Sequence, residues 1–143
     1  MKFKILGVPQ PKQSTRFRVQ KFGNKTFVKT YQTAEVVKNE RNIAFDVKSQ
    51  LPAGFIPFDC ALKAKVLYVF PPLKGFSKGK MNALSTGEKI YKDTKPDLQD
   101  NLNKGLFDAL EGVVYLKDSC ICKVESEKIY GLVPRIEIEF EEL

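Results

Sequence analysis

The sequence predicts an α+β fold: a small mixed β-sheet with two main helices packed on it, forming one domain over residues 1–143. Three observations lead there. Residues 2–6 (KFKIL), 62–70 (LKAKVLYVF) and 134–140 alternate apolar and polar side chains, the period of a half-buried strand. Residues 34–50 and the stretch after Pro96 repeat apolar residues at helical spacing. The chain is 43% hydrophobic, enough for a core, and shows neither an internal repeat nor a linker.

In chain order, KFKIL places Phe3 and Ile5 on one face of a first strand. VPQPKQSTRFR follows as a loop broken by Pro9 and Pro11. RVQKFGNKTFV (18–28) reads as a hairpin turning at Gly23-Asn24. Thr33 is suited to cap a helix over 34–50, with Val36, Val37, Ile43, Ala44 and Val47 as its apolar stripe and Pro52, Gly54 and Pro57 as its stop. In 62–70, Leu62, Ala64, Val66, Tyr68 and Phe70 face inward, Lys63 and Lys65 outward, and Pro71-Pro72 end the strand. Residues 73–94 read as a long basic loop. Pro96 fits the first turn of the second helix, with Leu98, Leu102, Leu106, Ala109, Leu110 and Val113 as its stripe and Gly112 as its end. A short strand, VVYL, and strands near 119–129 and 134–140 complete the chain. In the last of these Ile136, Ile138 and Phe140 face in, and Glu137, Glu139 and Glu141 face out.

The chain contains no histidine. That excludes Ser–His and Cys–His nucleophile pairs and His-ligated metals, and leaves carboxylates, lysines, arginines, tyrosines and cysteines for any chemistry. Cys60, Cys120 and Cys122 make neither a disulfide framework nor a good zinc site. No apolar run approaches the ~20 residues of a membrane span, and MKFKILGVPQPK lacks the apolar core of a signal peptide, so a cytoplasmic protein is expected. The formal net charge is +7. Residues 1–29 carry eight cations and no acid, and Lys74, Lys78 and Lys80 form a second basic group. Such a surface suits a polyanion, most often nucleic acid, or serves solubility alone.

Against this background Asp93, Asp97, Asp100, Asp108 and Asp118 gather around one helix that also bears Lys104. One reading is structural: aspartates near a helix N-terminus complement its dipole, and Lys104–Asp108 is an i,i+4 ion pair worth ~0.3 kcal/mol. The other is that like charges cluster around a cation. Mg²⁺ takes oxygen ligands, commonly one or two carboxylates plus substrate phosphate, and Lys104 would then offset charge in phosphodiester hydrolysis.

The segment KPDLQDNLNKGLFDALEGVVYLKDS (95–119) resembles the signature of the RusA family of Holliday-junction resolvases. It supplies KPD at 95–97, DN at 100–101, Lys104, DAL at 108–110, EG at 111–112 and Asp118. VPQPKQSTRFR, TYQTAEVVKNE and the strand-then-basic-loop order of 62–80 are similar to the family as well. The resemblance implies a RusA-like α+β fold, a homodimer, and a Mg²⁺-dependent endodeoxyribonuclease, with Mn²⁺ as a substitute. Such an enzyme resolves four-way DNA junctions by paired nicks. It implies catalytic roles for Asp97, Asp100, Lys104 and Asp118, with the three aspartates as metal ligands. DNA contacts are expected from Lys12, Arg16, Arg18, Lys74, Lys78 and Lys80, with Lys12, Arg16 and Arg18 held out from the fold. The setting would be bacterial, or a host cell for a phage-encoded protein.

One spacing departs from the family pattern. Asp97-Leu98-Gln99-Asp100 carries one residue more than Asp-x-Asp, so Asp97 must reach the site through a bulge or an extra helical residue. In the place of two adjacent acids stands Lys117-Asp118, whose aspartate aligns with the second, functional member. Two rival functions remain: a non-catalytic junction- or DNA-binding protein, and a small basic RNA-binding protein. In the latter Phe17, Phe22, Phe27 and Tyr31 would be stacking platforms, the alternative for these aromatics being core packing on the hairpin.

Overall fold

The computed structural model describes the backbone of residues 1–12, 16–31 and 33–143, and the side chains outside 13–18, 27 and 29–32. Among the described residues seven strands and three α-helices run in the order β1 (Lys2–Leu6), β2 (Arg16–Phe22), β3 (Lys25–Tyr31), α1 (Ala34–Gln50), β4 (Leu62–Phe70), α2 (Lys78–Ser85), β5 (Ile90–Tyr91), α3 (Lys104–Leu110), β6 (Ile121–Tyr130) and β7 (Arg135–Glu142). A π-helical turn, Leu98–Asn103, leads into α3, and a 3₁₀ turn, Asp118–Cys120, precedes β6.

Five strands form a mixed sheet in the order β1-β7-β4-β6-β5. Only β4 and β6 run parallel; the other pairs are antiparallel. A parallel pair needs a long crossover, and residues 71–120 supply it with α2, β5 and α3. One sheet face carries Phe3, Ile5, Leu62, Ala64, Val66, Tyr68, Phe70, Ile136, Ile138 and Phe140 into a single core with Ile43 and Val47 of α1 and Leu102, Leu106 and Leu110 of the α3 segment. The opposite face is a ladder of charge, in which Lys2 pairs with Glu139 at 3.8 Å and Lys63 with Glu125 at 3.0 Å.

The mixed sheet, the single core and the two principal helices agree with the sequence-based expectation. Thr33 caps α1, its hydroxyl accepting from the Val36 N–H. Val36, Ile43 and Val47 are buried, whereas Val37 is exposed and Ala44 half-buried, so the stripe is narrower than expected. The hairpin closes on Gly23-Asn24, with Phe22 opposite Lys25 and Gly23 at φ +61.

Three local expectations are corrected. Residues 73–94 are not one loop: Ser77 caps α2, its hydroxyl accepting from the Lys80 N–H, and β5 extends the sheet. VVYL forms no ladder. It turns, and holds Phe58 through hydrogen bonds from Phe58 N to Val114 O and from Leu116 N to Phe58 O, both 2.9 Å. Pro96 stands before the N-cap, Asp97, rather than inside the first turn.

Candidate functional site in a cleft beside α3

The chain enters α3 through its π-helical turn. The Leu102 N–H donates to Asp97 O (3.1 Å) and the Lys104 N–H reaches Gln99 O, both i→i−5 bonds. A π turn absorbs one extra residue in a helix and recurs at functional sites. It accommodates here the residue that lengthens Asp97-Leu98-Gln99-Asp100 and returns α3 to ordinary pitch at Lys104. The Asp97 side chain makes no capping hydrogen bond, and both Asp97 and Asp100 are exposed.

Below this turn opens a cleft of about 570 Å³ lined by Gln99, Asn103, Lys104, Phe107, Asp108, Asp118 and residues of β6. Of the residues expected in the site, Lys104 and Asp118 line it. Asp97 and Asp100 lie at the start of the same helical segment and are not among its walls. The helix presents Gln99 to the cleft where Asp100 was expected. A larger concavity of about 890 Å³ lies on the open face of the sheet. Its lysines on β1 and β4 alternate with glutamates on β7 and β6 from strand to strand, so its charges are matched within the sheet.

Asp108 is the residue that sequence reasoning left out of the site. The structural reading pairs it with Lys104; instead Lys12 Nζ meets Asp108 Oδ2 at 2.7 Å and Glu40 Oε1 at 2.9 Å. The Glu40 contact is an ion pair rather than an aligned hydrogen bond, because that oxygen finds no hydrogen-bonding partner among the described residues. Lys12, expected to project toward DNA, is 9% exposed. Burial pushes its pKa down, but Asp108 and Glu40 outweigh it and the net shift is upward, so the ammonium stays charged. Its backbone is clamped too: Lys12 N donates to Asn101 O (3.1 Å), and Asn101 Nδ2 donates to Lys12 O (2.8 Å). Gly105 permits this crossing, since a Cβ there would meet Lys12 Cβ at 3.0 Å.

With Asp108 committed to Lys12, Lys104 makes no ion pair among the described residues and is exposed at the cleft. Asp118 sits in a 3₁₀ turn, its N–H donating to Glu111 Oε1 at 3.3 Å. Its pKa is raised, first by desolvation, then by the charges of Glu111 and Asp108. Beneath the cleft Asn103 is buried. It accepts from the Tyr68 hydroxyl (2.8 Å) and donates to Ser126 Oγ (2.9 Å), tying the π turn to β4 and β6. The signal for Asn103 was a polar residue beside Leu102 on the buried stripe. Lys12 and Glu40 left no local signal, since their partner lies far along the chain.

Lys74, Lys78 and Lys80 are exposed around α2, with Lys80 Nζ 5.0 Å from the Phe76 ring centre. The side chains of Arg16 and Arg18 lie outside the described residues. Among the described residues no group of three or more His, Cys, Asp or Glu side chains is arranged to hold a metal. The donor chemistry fits a hard cation nonetheless. The cleft offers carboxylate oxygens, and Asp118 is crowded by like charge that a cation would relieve.

Fold and cleft together define a class: a small α+β domain with a histidine-free cleft in which Lys104 and Asp108 of one helix line a wall with Asp118 of the following 3₁₀ turn. The family model described as Endodeoxyribonuclease RusA matches residues 8–141, and the chain belongs to this family, with which goes a nuclease-type enzymatic function. The chain is also 30% identical over 101 residues, 71% of its length and 70% of the relative's, to the "Uncharacterized protein YqaN" of Bacillus subtilis (strain 168). No helix among the described residues is long and apolar enough to cross a membrane.

Proposed function

We propose that the protein is a Mg²⁺-dependent, structure-selective endodeoxyribonuclease that resolves four-way DNA junctions by paired nicks, acting as a homodimer. The observation that carries this reading is the cleft in which Lys104, free of Asp108, stands with the crowded Asp118. Asp97, Asp100 and Asp118 are the carboxylates that would hold the cation. Bound Mg²⁺ supplies Lewis-acid polarisation of a phosphoryl oxygen and acidifies bound water.

The chain's own residues do the rest. Lys104 places a cation where negative charge builds on the phosphate. Asp118 would hold the cation as its carboxylate, whose pKa is raised by desolvation and by the charges of Glu111 and Asp108. Lys12 fixes Asp108 beside it. Lys74, Lys78 and Lys80, with Arg16 and Arg18, supply phosphate contacts that position the substrate without reading sequence. A two-fold dimer suits a junction whose opposing strands are cut in pairs.

The deciding experiment is nicking of a synthetic four-way junction with Mg²⁺ and with EDTA, by the wild type and by Asp100→Asn and Asp118→Asn. Cleavage by the wild type with Mg²⁺ alone, lost in both variants while junction binding persists, is expected. Binding without cleavage by the wild type would leave a non-catalytic junction-binding protein instead.

A further inference from the structure

We propose that the β2–β3 hairpin is an arm that engages DNA, and that Phe22 at its tip stacks on bases left open where strands branch. The inference rests on the reading of branched DNA as substrate.

A hairpin that belongs to a core hides one face. This one forms a two-stranded sheet of its own, and every described side chain in it, residues 19–26 and 28, is exposed. Val19 and Val28, directly opposed across the strands, are 64% and 65% exposed, and Phe22 beside the turn is 83% exposed. Core packing of Phe22, the alternative weighed from sequence, is therefore overturned; Phe17, Phe27 and Tyr31 fall outside the described side chains. An isolated hairpin is only marginally stable in water, and an aromatic ring at its tip gains nothing there until something covers it.

Charge identifies what covers it. Residues 16–31, RFRVQKFGNKTFVKTY, contain Arg16, Arg18, Lys21, Lys25 and Lys29 and no acid. A second copy of the arm would bring the same positive charge and be repelled. A polyanion with flat apolar faces complements both the cations and the ring, which is the chemistry of nucleic acid.

The root of the arm is tethered a short length of chain from the candidate site. Its first strand begins four chain steps after Lys12, at most about 14 Å of chain, and Lys12 is pinned to α3. Its second strand ends two residues before Thr33, the cap of α1, and α1 carries the Glu40 that shares Lys12. Six strand steps of ~3.3 Å separate Arg16 from Phe22, so the tip stands about 20 Å from the root, roughly the width of a duplex. Stacking needs an open base face. A straight duplex hides its base faces, whereas unstacking costs least where pairing is already interrupted. Phe22 thus adds affinity for branched DNA, while Lys21 and Lys25 add affinity for any DNA.

The test uses the full chain as wild type, Phe22→Ala and Phe22→Trp, without divalent metal. The probes are a four-way junction carrying 2-aminopurine at the branch and a duplex of the same sequence. The wild type is expected to bind the junction in preference and to change its fluorescence. Phe22→Ala should lose the fluorescence change and about tenfold in junction affinity, with duplex affinity within twofold; Phe22→Trp should restore both. Unchanged junction affinity and signal in Phe22→Ala would overturn the role of Phe22. So would a change of oligomeric state, which assigns the ring to a second copy. A wild type that binds junction and duplex alike, with no fluorescence change, sinks both the arm and the junction reading beneath it.

Discussion

Lys12 and Lys104 show how one residue type divides into two roles by what lies opposite it. Lys12 is buried between Glu40 and Asp108, its charge already matched. Lys104 is exposed at the cleft and keeps its charge for a partner from outside. Lys104→Ala is therefore expected to lower single-turnover nicking by about 10²-fold, the scale of losing one preorganised donor. Folding and metal-free junction affinity should change by under ~1 kcal/mol. A rate within about threefold of wild type would leave Lys104 without a catalytic role. Asp118 yields a prediction in stability. Its folded pKa is raised, so the folded state binds the proton more tightly than the unfolded chain does. The associated stability is fully present below the ordinary carboxylate value of about 3.9 and is lost as pH rises through the folded pKa. Asp118→Asn should thus melt higher than wild type at pH 7, and the difference should fade as pH approaches 4. Thermal melts showing a difference of the same size at both ends of that range would contradict the assignment.

At the scale of elements, the α3 segment answers a difficulty that spacing alone raised. An extra residue between Asp97 and Asp100 would rotate everything before it by about 100° in a regular helix. The π turn takes up that residue, and Asn103 anchors it to Tyr68 and Ser126. The crossing of residue 12 over Gly105 is equally specific. Gly105→Ala gains up to ~1 kcal/mol of helix propensity, which offsets part of the clash with Lys12 Cβ at 3.0 Å. Gly105→Val gains less and intrudes more. It is expected to cost about 2 kcal/mol, within the usual range for overpacking, and to lower nicking by detaching Lys12 from Asp108. Denaturant midpoints of the two variants, with Val clearly below Ala, check the crossing; equal midpoints would show that residue 12 yields freely.

For the whole molecule the charge distribution makes the prediction. The open sheet face pairs lysines with glutamates across strands, whereas Lys74, Lys78 and Lys80 around α2 make no ion pair among the described residues and the arm sequence holds cations and no acid. If DNA neutralises about six phosphates there, affinity should fall roughly 10³-fold between 50 and 200 mM salt. Titrations of a junction across that range would show it, and a flat profile would remove the electrostatic interface.

Local pattern was enough for β1, α1 with its Thr33 cap, β4 and β7, because alternation, helical spacing and capping chemistry act within a few residues. The carboxylates and lysine of 95–119 also lie in one stretch of chain, but only the fold puts Lys104 and Asp118 on the cleft and leaves Asp97 and Asp100 off its walls. Local pattern missed α2, because KGKMNALS reads as basic and glycine-bearing while its stability comes from the Ser77 cap and from Leu84 packed in the core. The partner of Asp108 was decided only by the tertiary structure. Lys104 is four residues away and Lys12 is ninety-six, yet the fold brings Lys12 to 2.7 Å. Burial of the Lys12 end of that pair, set by Gly105 and Asn101, decides against the exposed local one, since a salt bridge gains strength where water is excluded and little where it is not. In the same way the sequence determined that Phe22 is aromatic and flanked by lysines, but only the packing of the arm, with no layer on either face of its described residues, left the ring in water.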